Sequence, residues 1–202
     1  MAATRALFPP LLPEGFLYRE EFLSAAEESE LLRLFRGLEF APYDYHGFLA
    51  MRRIVRYGVN YDLNSREQNA NAPPIPEFLL GIRTRAAAVA EVRAEELVQA
   101  LVSEYSVGTP IGWHRDTPQF GTIIGISLGS ACRMRLKPYQ AAGKIVSVSL
   151  EPRSIYVMKG EARSQWQHSI PAVKELRYSI TFRTLRARRK SAAAQASGSS
   201  SA

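Results

Sequence analysis

His114 and Asp116 stand two residues apart in Ile111-Gly112-Trp113-His114-Arg115-Asp116, and a third candidate ligand, His168, follows in Gln167-His168-Ser169. On an extended chain, residues i and i+2 share a face, so this imidazole and carboxylate form two corners of a metal site. Two histidines and one carboxylate, with the remaining positions open, are the set that non-haem Fe(II) uses for oxygen chemistry. An H-x-D pair by itself is more often ordinary surface or core than a metal site, because three residues of common types match by chance.

A second cluster lies near the end of the chain. In Arg177-Tyr178-Ser179-Ile180-Thr181-Phe182-Arg183, alternation puts Arg177, Ser179, Thr181 and Arg183 on one strand face and Tyr178, Ile180 and Phe182 on the other. A polar face turned to solvent is the ordinary reading of such a strand. Two arginines flanked by hydroxyls are also what a dicarboxylate needs, since guanidinium binds carboxylate in bidentate fashion.

The elements that would position these groups can be followed along the chain. Residues 1–20 read as an irregular or edge segment. Ser24-Ala25-Ala26-Glu27 has capping-box spacing, and the stripe Leu31, Leu34, Phe35, Leu38 predicts a helix over 24–37. A Pro-punctuated loop at Pro73, Pro74 and Pro76 precedes a second helix over 77–93. Short strands follow at 97–107, 111–116, 122–128, 131–137, 144–151, 154–158 and 176–185, separated by Gly, Pro or Ser. Two helices and then many strands predict an α+β architecture: a double-stranded β-helix, or jelly roll, with helices packed outside.

Residues 40–64 interleave aromatics and cations. Arg53, Tyr57 and Tyr61 fall on one strand face with Val55 and Val59, a composition suited to stacking on bases and pairing with phosphates. An ordinary strand whose tyrosines cover the core fits the same pattern. Arg133, Arg135 and Lys137 alternate with Cys132, Met134 and Leu136, and so face a phosphate backbone, a cosubstrate or water. His46 reads as structural or surface, and Trp113 and Trp166 as walls of the site.

A chain of 202 residues, 46% hydrophobic and 22% charged, fits one domain with a sizeable core. Its single cysteine, Cys132, excludes an internal disulfide framework and fits a reducing compartment, with a cytoplasmic protein expected, or a nuclear one in a eukaryote. There is no apolar run of membrane-spanning length, so no membrane partner is expected. A net charge of +7 favours a polyanion, although part of it sits in Arg186-Ala187-Arg188-Arg189-Lys190. The boundaries expected are an N-terminal segment 1–20, a domain over 21–186 with a lid-like segment 40–64, and a disordered tail over 187–202.

Taken in order, Glu104-Tyr105-Ser106-Val107-Gly108, the H-x-D run, Ser127-Leu128-Gly129, Gln167-His168-Ser169 and the Arg177 to Arg183 strand resemble the AlkB family of Fe(II)/2-oxoglutarate dioxygenases. The resemblance covers about residues 51–185. It implies that His114, Asp116 and His168 bind Fe(II). It also implies that Arg177 holds the distal carboxylate of 2-oxoglutarate with a hydrogen bond from Tyr105, and that Arg183 lies near the metal-proximal carboxylate. Ser103 and Ser179 stand where the family often has Asn, leaving shorter polar groups beside the cosubstrate. By the same resemblance, the reaction consumes 2-oxoglutarate and dioxygen to oxidise an alkyl group, with a nucleobase in DNA or RNA as the expected substrate. The base would be single-stranded or flipped out, the protein a monomer, and Arg53, Tyr57 and Tyr61 would grip the nucleotide. A protein side chain or small molecule as substrate, or a non-catalytic binding module of the same fold, are the competing readings.

Overall fold

The computed structural model describes residues 12–45, 48–61, 68–69 and 72–186, with the side chains of residues 43–49 and 60–71 outside that description. The expected tail over 187–202 and His46 therefore lie outside the described residues. In chain order the elements are β1 (Phe16–Arg19), α1 (Ala25–Phe35), β2 (Ala41–Tyr45), β3 (Phe48–Gly58), β4 (Asn60–Tyr61), β5 (Gln68–Asn69) and α2 (Glu77–Ala90). Then come β6 (Leu97–Tyr105), β7 (Ile111–His114), β8 (Phe120–Leu128), β9 (Cys132–Pro138), β10 (Val146–Leu150), β11 (Ile155–Met158), α3 (Gly160–Ser164), β12 (Trp166–Ile170) and β13 (Arg177–Leu185).

Seven strands form the major sheet in the order β1-β11-β8-β13-β6-β3-β2, and four form the minor sheet in the order β10-β9-β12-β7. All pairings are antiparallel. The two sheets enclose one core, which includes Tyr105, Ile123, Met134, Leu136 and Leu150. A second core lies between the outer face of the major sheet and the helices, where Phe35, Leu79 and Ala86 meet Val102, Ile124, Ile180 and Phe182. This is the expected jelly roll with helices outside. Among the described residues no helix is long and apolar enough to cross a membrane.

Local chemistry sets the boundaries. Glu27 N–H donates to Ser24 Oγ at 3.2 Å and Ser24 N–H to a Glu27 carboxylate oxygen at 2.8 Å, completing the capping box at the start of α1. Buried Glu28 ties that helix to the sheets by accepting from Gly129 N–H at 2.9 Å and from Arg153 at 3.1 Å. α2 stops three residues short of the expected 93 because Glu91 turns left-handed, at φ 59, and its amide closes back on Ala87 and Ala88. Its small residues Ala86, Ala87 and Ala90 are all buried, which lets the helix axis lie close to the sheet.

β12 and α3 carry no clear signal in the sequence, and β1 falls in the segment read as irregular or edge. β1 occupies the edge of the major sheet, β12 joins β9 to β7, and α3 is a single short helix of five residues. Part of the aromatic-basic segment read as lid-like is strand. Arg53 to Gly58 pair with β6 inside the major sheet, while β2 and the first half of β3 continue as a hairpin past the point where β6 ends.

Candidate metal centre and cosubstrate pocket

The three expected ligands converge, though not by simple alternation. His114 pairs with His168 and Ile111 with Ile170, so β7 spends three residue steps against two on β12. This bulge at Gly112 and Trp113 turns both Ile111 and His114 into the pocket and sends Trp113 to the outer face. The strand ends at His114, and Asp116 lies beyond it rather than further along the same strand. One candidate ligand atom from each of His114, Asp116 and His168 lies within 4.8 Å of the others, and the two imidazole centroids are 4.2 Å apart.

Electrostatics prepares these groups as ligands. Burial, aided by the adjacent His114 ring, pushes the His168 imidazole down to about 3, and burial also lowers His114. Both rings are therefore neutral at neutral pH with a nitrogen lone pair available. The 2.9 Å contact between His114 Nδ1 and the Gly112 carbonyl assigns the proton to Nδ1 and leaves Nε2 as the donor to a metal. Burial is the largest single influence and opposes ionisation of Asp116, but the surrounding groups together, the Arg183 guanidinium foremost, outweigh it and hold the carboxyl well below the usual carboxylate range. With His168 neutral, its 3.8 Å approach to Asp116 is not an ion pair; both groups face a common point.

Two further residues fix the position of Asp116. Arg183 donates through one Nη to Asp116 Oδ1 at 2.8 Å and through the other to Gln99 Oε1 at 2.8 Å. Arg163, which had no signal in the sequence, is buried and directs one Nη at the carbonyls of Asp116, Thr117 and Phe120 at 3.2, 2.8 and 3.0 Å. It stitches together the turn that carries the carboxylate. Arg163→Ala is expected to weaken metal affinity by ~10–100-fold, the scale on which outer-shell partners act. Metal titration of the purified variant checks this, and an unchanged affinity would show that the turn holds its shape without Arg163.

The polar face of β13 points into the barrel, not to solvent. Arg177 is 1% exposed, yet only one of its nitrogens has a partner: Nη2 donates to Ser127 Oγ at 3.2 Å, while Nε and Nη1 are buried without one. Native proteins rarely leave a buried guanidinium so poorly satisfied. Its plane lies 4.7 Å from the Tyr105 ring, and the Tyr105 hydroxyl is 3.3 Å from Ser179 Oγ. Burial raises the Tyr105 phenol, but the Arg52 and Arg177 charges outweigh it and leave it below its usual value. Ser103, Ser179 and Ser127 are register partners across β6, β13 and β8, forming a row of small hydroxyl groups beside the arginine. The arrangement fits a carboxylate entering beside the metal ligands. His114, Asp116, His168, Tyr105, Ser179, Arg177 and Arg183 all line this one pocket.

Two of the expected nucleotide-gripping residues, Arg53 and Tyr57, do not. Arg53 donates Nε and Nη2 to one oxygen of Glu104, at 2.9 and 2.6 Å, on the helix side of the major sheet. Tyr57 is 8% exposed and packs in the core beneath the helices, because odd-numbered positions of this part of β3 face that layer. The Tyr61 side chain lies outside the described residues. β3 instead contributes Arg52, one position away, to the pocket lining. A one-residue shift in a strand exchanges its faces.

A jelly roll with two histidines and a carboxylate gathered beside a buried, half-satisfied arginine defines a class of metal-dependent oxygenases. The family model described as the 2OG-Fe(II) oxygenase superfamily matches residues 16–186, and the chain belongs to that superfamily, in its AlkB-like family. It is 31% identical over 169 residues to the bovine mitochondrial alpha-ketoglutarate-dependent dioxygenase alkB homolog 7, covering 79% of this chain and 68% of that protein. It is 31% identical over 165 residues to the mouse tRNA (carboxymethyluridine(34)-5-O)-methyltransferase ALKBH8, covering 79% of this chain but only 24% of that much longer protein. The solved structure of OsALKBH1 superimposes with a TM-score of 0.68 at 20% identity, covering 86% of this chain and 98% of that one.

The protein is thus an Fe(II)/2-oxoglutarate-dependent dioxygenase. The metal and cosubstrate supply the activation of dioxygen. His114, Asp116 and His168 would hold the metal, Arg183 would keep Asp116 in place, and the buried Arg177 would take a cosubstrate carboxylate.

Proposed function

We propose that this dioxygenase oxidises N-alkyl groups on nucleobases in DNA or RNA. Per turnover, 2-oxoglutarate is converted to succinate and carbon dioxide, one oxygen atom entering succinate and the other the alkyl carbon. An N-hydroxymethyl product then loses formaldehyde and leaves the bare base nitrogen. The observation that carries the substrate assignment is Arg52, a third guanidinium at the metal pocket besides the two on β13. Arg183 is engaged with Asp116 and Arg177 would take the cosubstrate carboxylate, while Arg52 adds a further guanidinium to the same lining. A base presented to the iron brings flanking phosphates with it. The similarity to a protein named for tRNA supports the same reading, as does the chain's charge of +7.

A second reading, the same chemistry on a protein side chain or small molecule, is favoured by one observation: Arg53 and Tyr57 serve the fold and not the pocket. The deciding experiment is 2-oxoglutarate turnover with a panel of N-methylated ribo- and deoxyribo-oligonucleotides, read by mass spectrometry. Loss of a methyl mass, or gain of oxygen, on one oligonucleotide with matching succinate release is the expected result. Turnover stimulated by peptides or metabolites, and by no oligonucleotide, would overturn the nucleic-acid assignment.

A further inference from the structure

The outer face of the minor sheet carries a charge pattern that the metal site does not use. β9 turns Cys132, Met134 and Leu136 into the barrel, so Arg133, Arg135 and Lys137 point outward. Register places Ser149 and Ser147 of β10 beside Arg133 and Arg135, and Ser169 and Gln167 of β12 beside Arg135 and Lys137. Trp113 of β7 completes the face, with Lys137 Nζ 4.5 Å and the Arg135 guanidinium 5.1 Å from its ring. Arg135 Nε also donates to Ser169 Oγ at 3.0 Å. At the neighbouring rim Arg115 stacks on Tyr139 at 3.6 Å and donates to the Ser164 carbonyl at 3.1 Å.

Unpaired cations are not confined to this face, since Arg19, Arg36, Lys144, Lys174 and Arg186 make no ion pair among the described residues either, but here four lie together. Elsewhere on the surface Arg33, Arg53, Arg85, Arg93, Arg153 and Lys159 each reach a carboxylate within 4.0 Å. Among the described residues Arg115, Arg133, Arg135 and Lys137 reach none. Glu151, at the end of β10, is an acidic group at that edge, and it accepts the Ser149 hydroxyl at 2.6 Å. Four cations are thus gathered without acidic partners. Arg115, Arg135 and Lys137 are also held against rings, and Arg115 and Arg135 are further tied by hydrogen bonds, which reduces the entropy they lose on gripping an anion.

We propose that this face is a second, sequence-independent contact for the phosphodiester backbone of the nucleic acid whose alkylated base enters the metal pocket. The proposal rests on the nucleic-acid reading above. Alternate residues of a strand lie about 6.8 Å apart, so Arg133, Arg135 and Lys137 form a straight row of positive charge. Phosphates neutralised along it release counterions, a gain that requires no base recognition. The face and the pocket are two sides of the same strands: Trp113 precedes the ligand His114, and Ser169 follows the ligand His168. Backbone flanking a captured base thereby lies within reach of the row, past the rim at Arg115.

The test compares the wild type with the double variant Arg133→Gln/Lys137→Gln, and with Arg133→Glu as a single change at an exposed position. Fluorescence anisotropy of a labelled single-stranded RNA measures binding across a salt series, and flotation with phosphatidylserine-containing vesicles tests a lipid surface. The double variant is expected to bind the RNA about tenfold or more weakly, with a log–log salt slope shallower by ~1.4, at ~0.7 for each phosphate no longer neutralised. Melting temperature and 2-oxoglutarate turnover without a prime substrate are expected to stay at wild-type values; should the double variant fold poorly, Arg133→Glu carries the same expectation for binding. Wild-type RNA binding with an unchanged affinity and slope in the variants would overturn the proposal while leaving the nucleic-acid reading intact. So would loss of vesicle binding alone, which would assign the face to a membrane. A wild type that binds neither the labelled RNA nor single-stranded DNA of the same sequence at low salt would remove the nucleic-acid reading itself, and the second backbone site with it.

Discussion

His114→Ala is expected to abolish metal-dependent decarboxylation of 2-oxoglutarate. The remaining pair, Asp116 and His168, cannot close a three-sided site, and no other His, Cys, Asp or Glu among the described residues joins that cluster. Even outer-shell changes cost ~10–100-fold in metal affinity or activity, so loss of a ligand should exceed that range. The substitution removes a side chain from the end of a short strand whose pairing with β12 is made by backbone groups, so the fold should survive. Succinate release with added Fe(II), measured alongside a melting curve, checks both statements. Turnover equal to the wild type would remove His114 from the metal site.

Arg177→Ala is the second large effect. The side chain is fully buried, with Nε and Nη1 awaiting an acceptor, so a carboxylate delivered there meets a dry, preorganised fork. Truncating one partner of such a buried pair costs ~2–5 kcal/mol, which raises the 2-oxoglutarate KM at least ~tenfold. Arg177→Lys should recover only part of the loss, because an ammonium lacks the planar fork that the guanidinium holds 4.7 Å from the Tyr105 ring centre. Initial rates over a 2-oxoglutarate series test this, and an unchanged KM in Arg177→Ala would place the distal carboxylate elsewhere.

Much of the site was legible because its residue types are rare in combination. The three ligands, Tyr105, Arg177 and Arg183 all line one pocket, as the motifs implied. The route to that outcome differs from simple alternation. Asp116 reaches the site from a turn beyond β7, and Ile111 and His114 share a face only through the bulge at Gly112 and Trp113. A bulge leaves no mark in a period-two pattern except the glycine itself. Arg163 was not legible at all, since its function is set by three carbonyls that come together only in the folded chain.

The segment 40–64 shows the limit of face assignment from sequence. Tyr57 was as well placed as any residue to stack on a base, yet the helices on the far side of the major sheet claim it. Alternation specifies two faces but not which is the barrel interior when helices cover the outside, because both are then apolar. The same ambiguity attended β13, where a polar face that would ordinarily meet water instead lines the cosubstrate pocket. β12 was missed: the polar Gln167, His168 and Ser169 at its centre obscure a strand of only five residues.

At the centre of this mechanism, His114, Asp116 and His168 would hold a divalent metal, and Arg177 would grip a carboxylate of 2-oxoglutarate beside it. Calorimetric titration of 2-oxoglutarate into the protein, with Mn(II) as a redox-silent substitute for Fe(II), tests it most directly. One cosubstrate per chain is expected, with tight binding only when metal is present, and with loss of that binding in both Asp116→Ala and Arg177→Ala. Binding that is indifferent to metal, or that survives in either variant at wild-type strength, would contradict this arrangement.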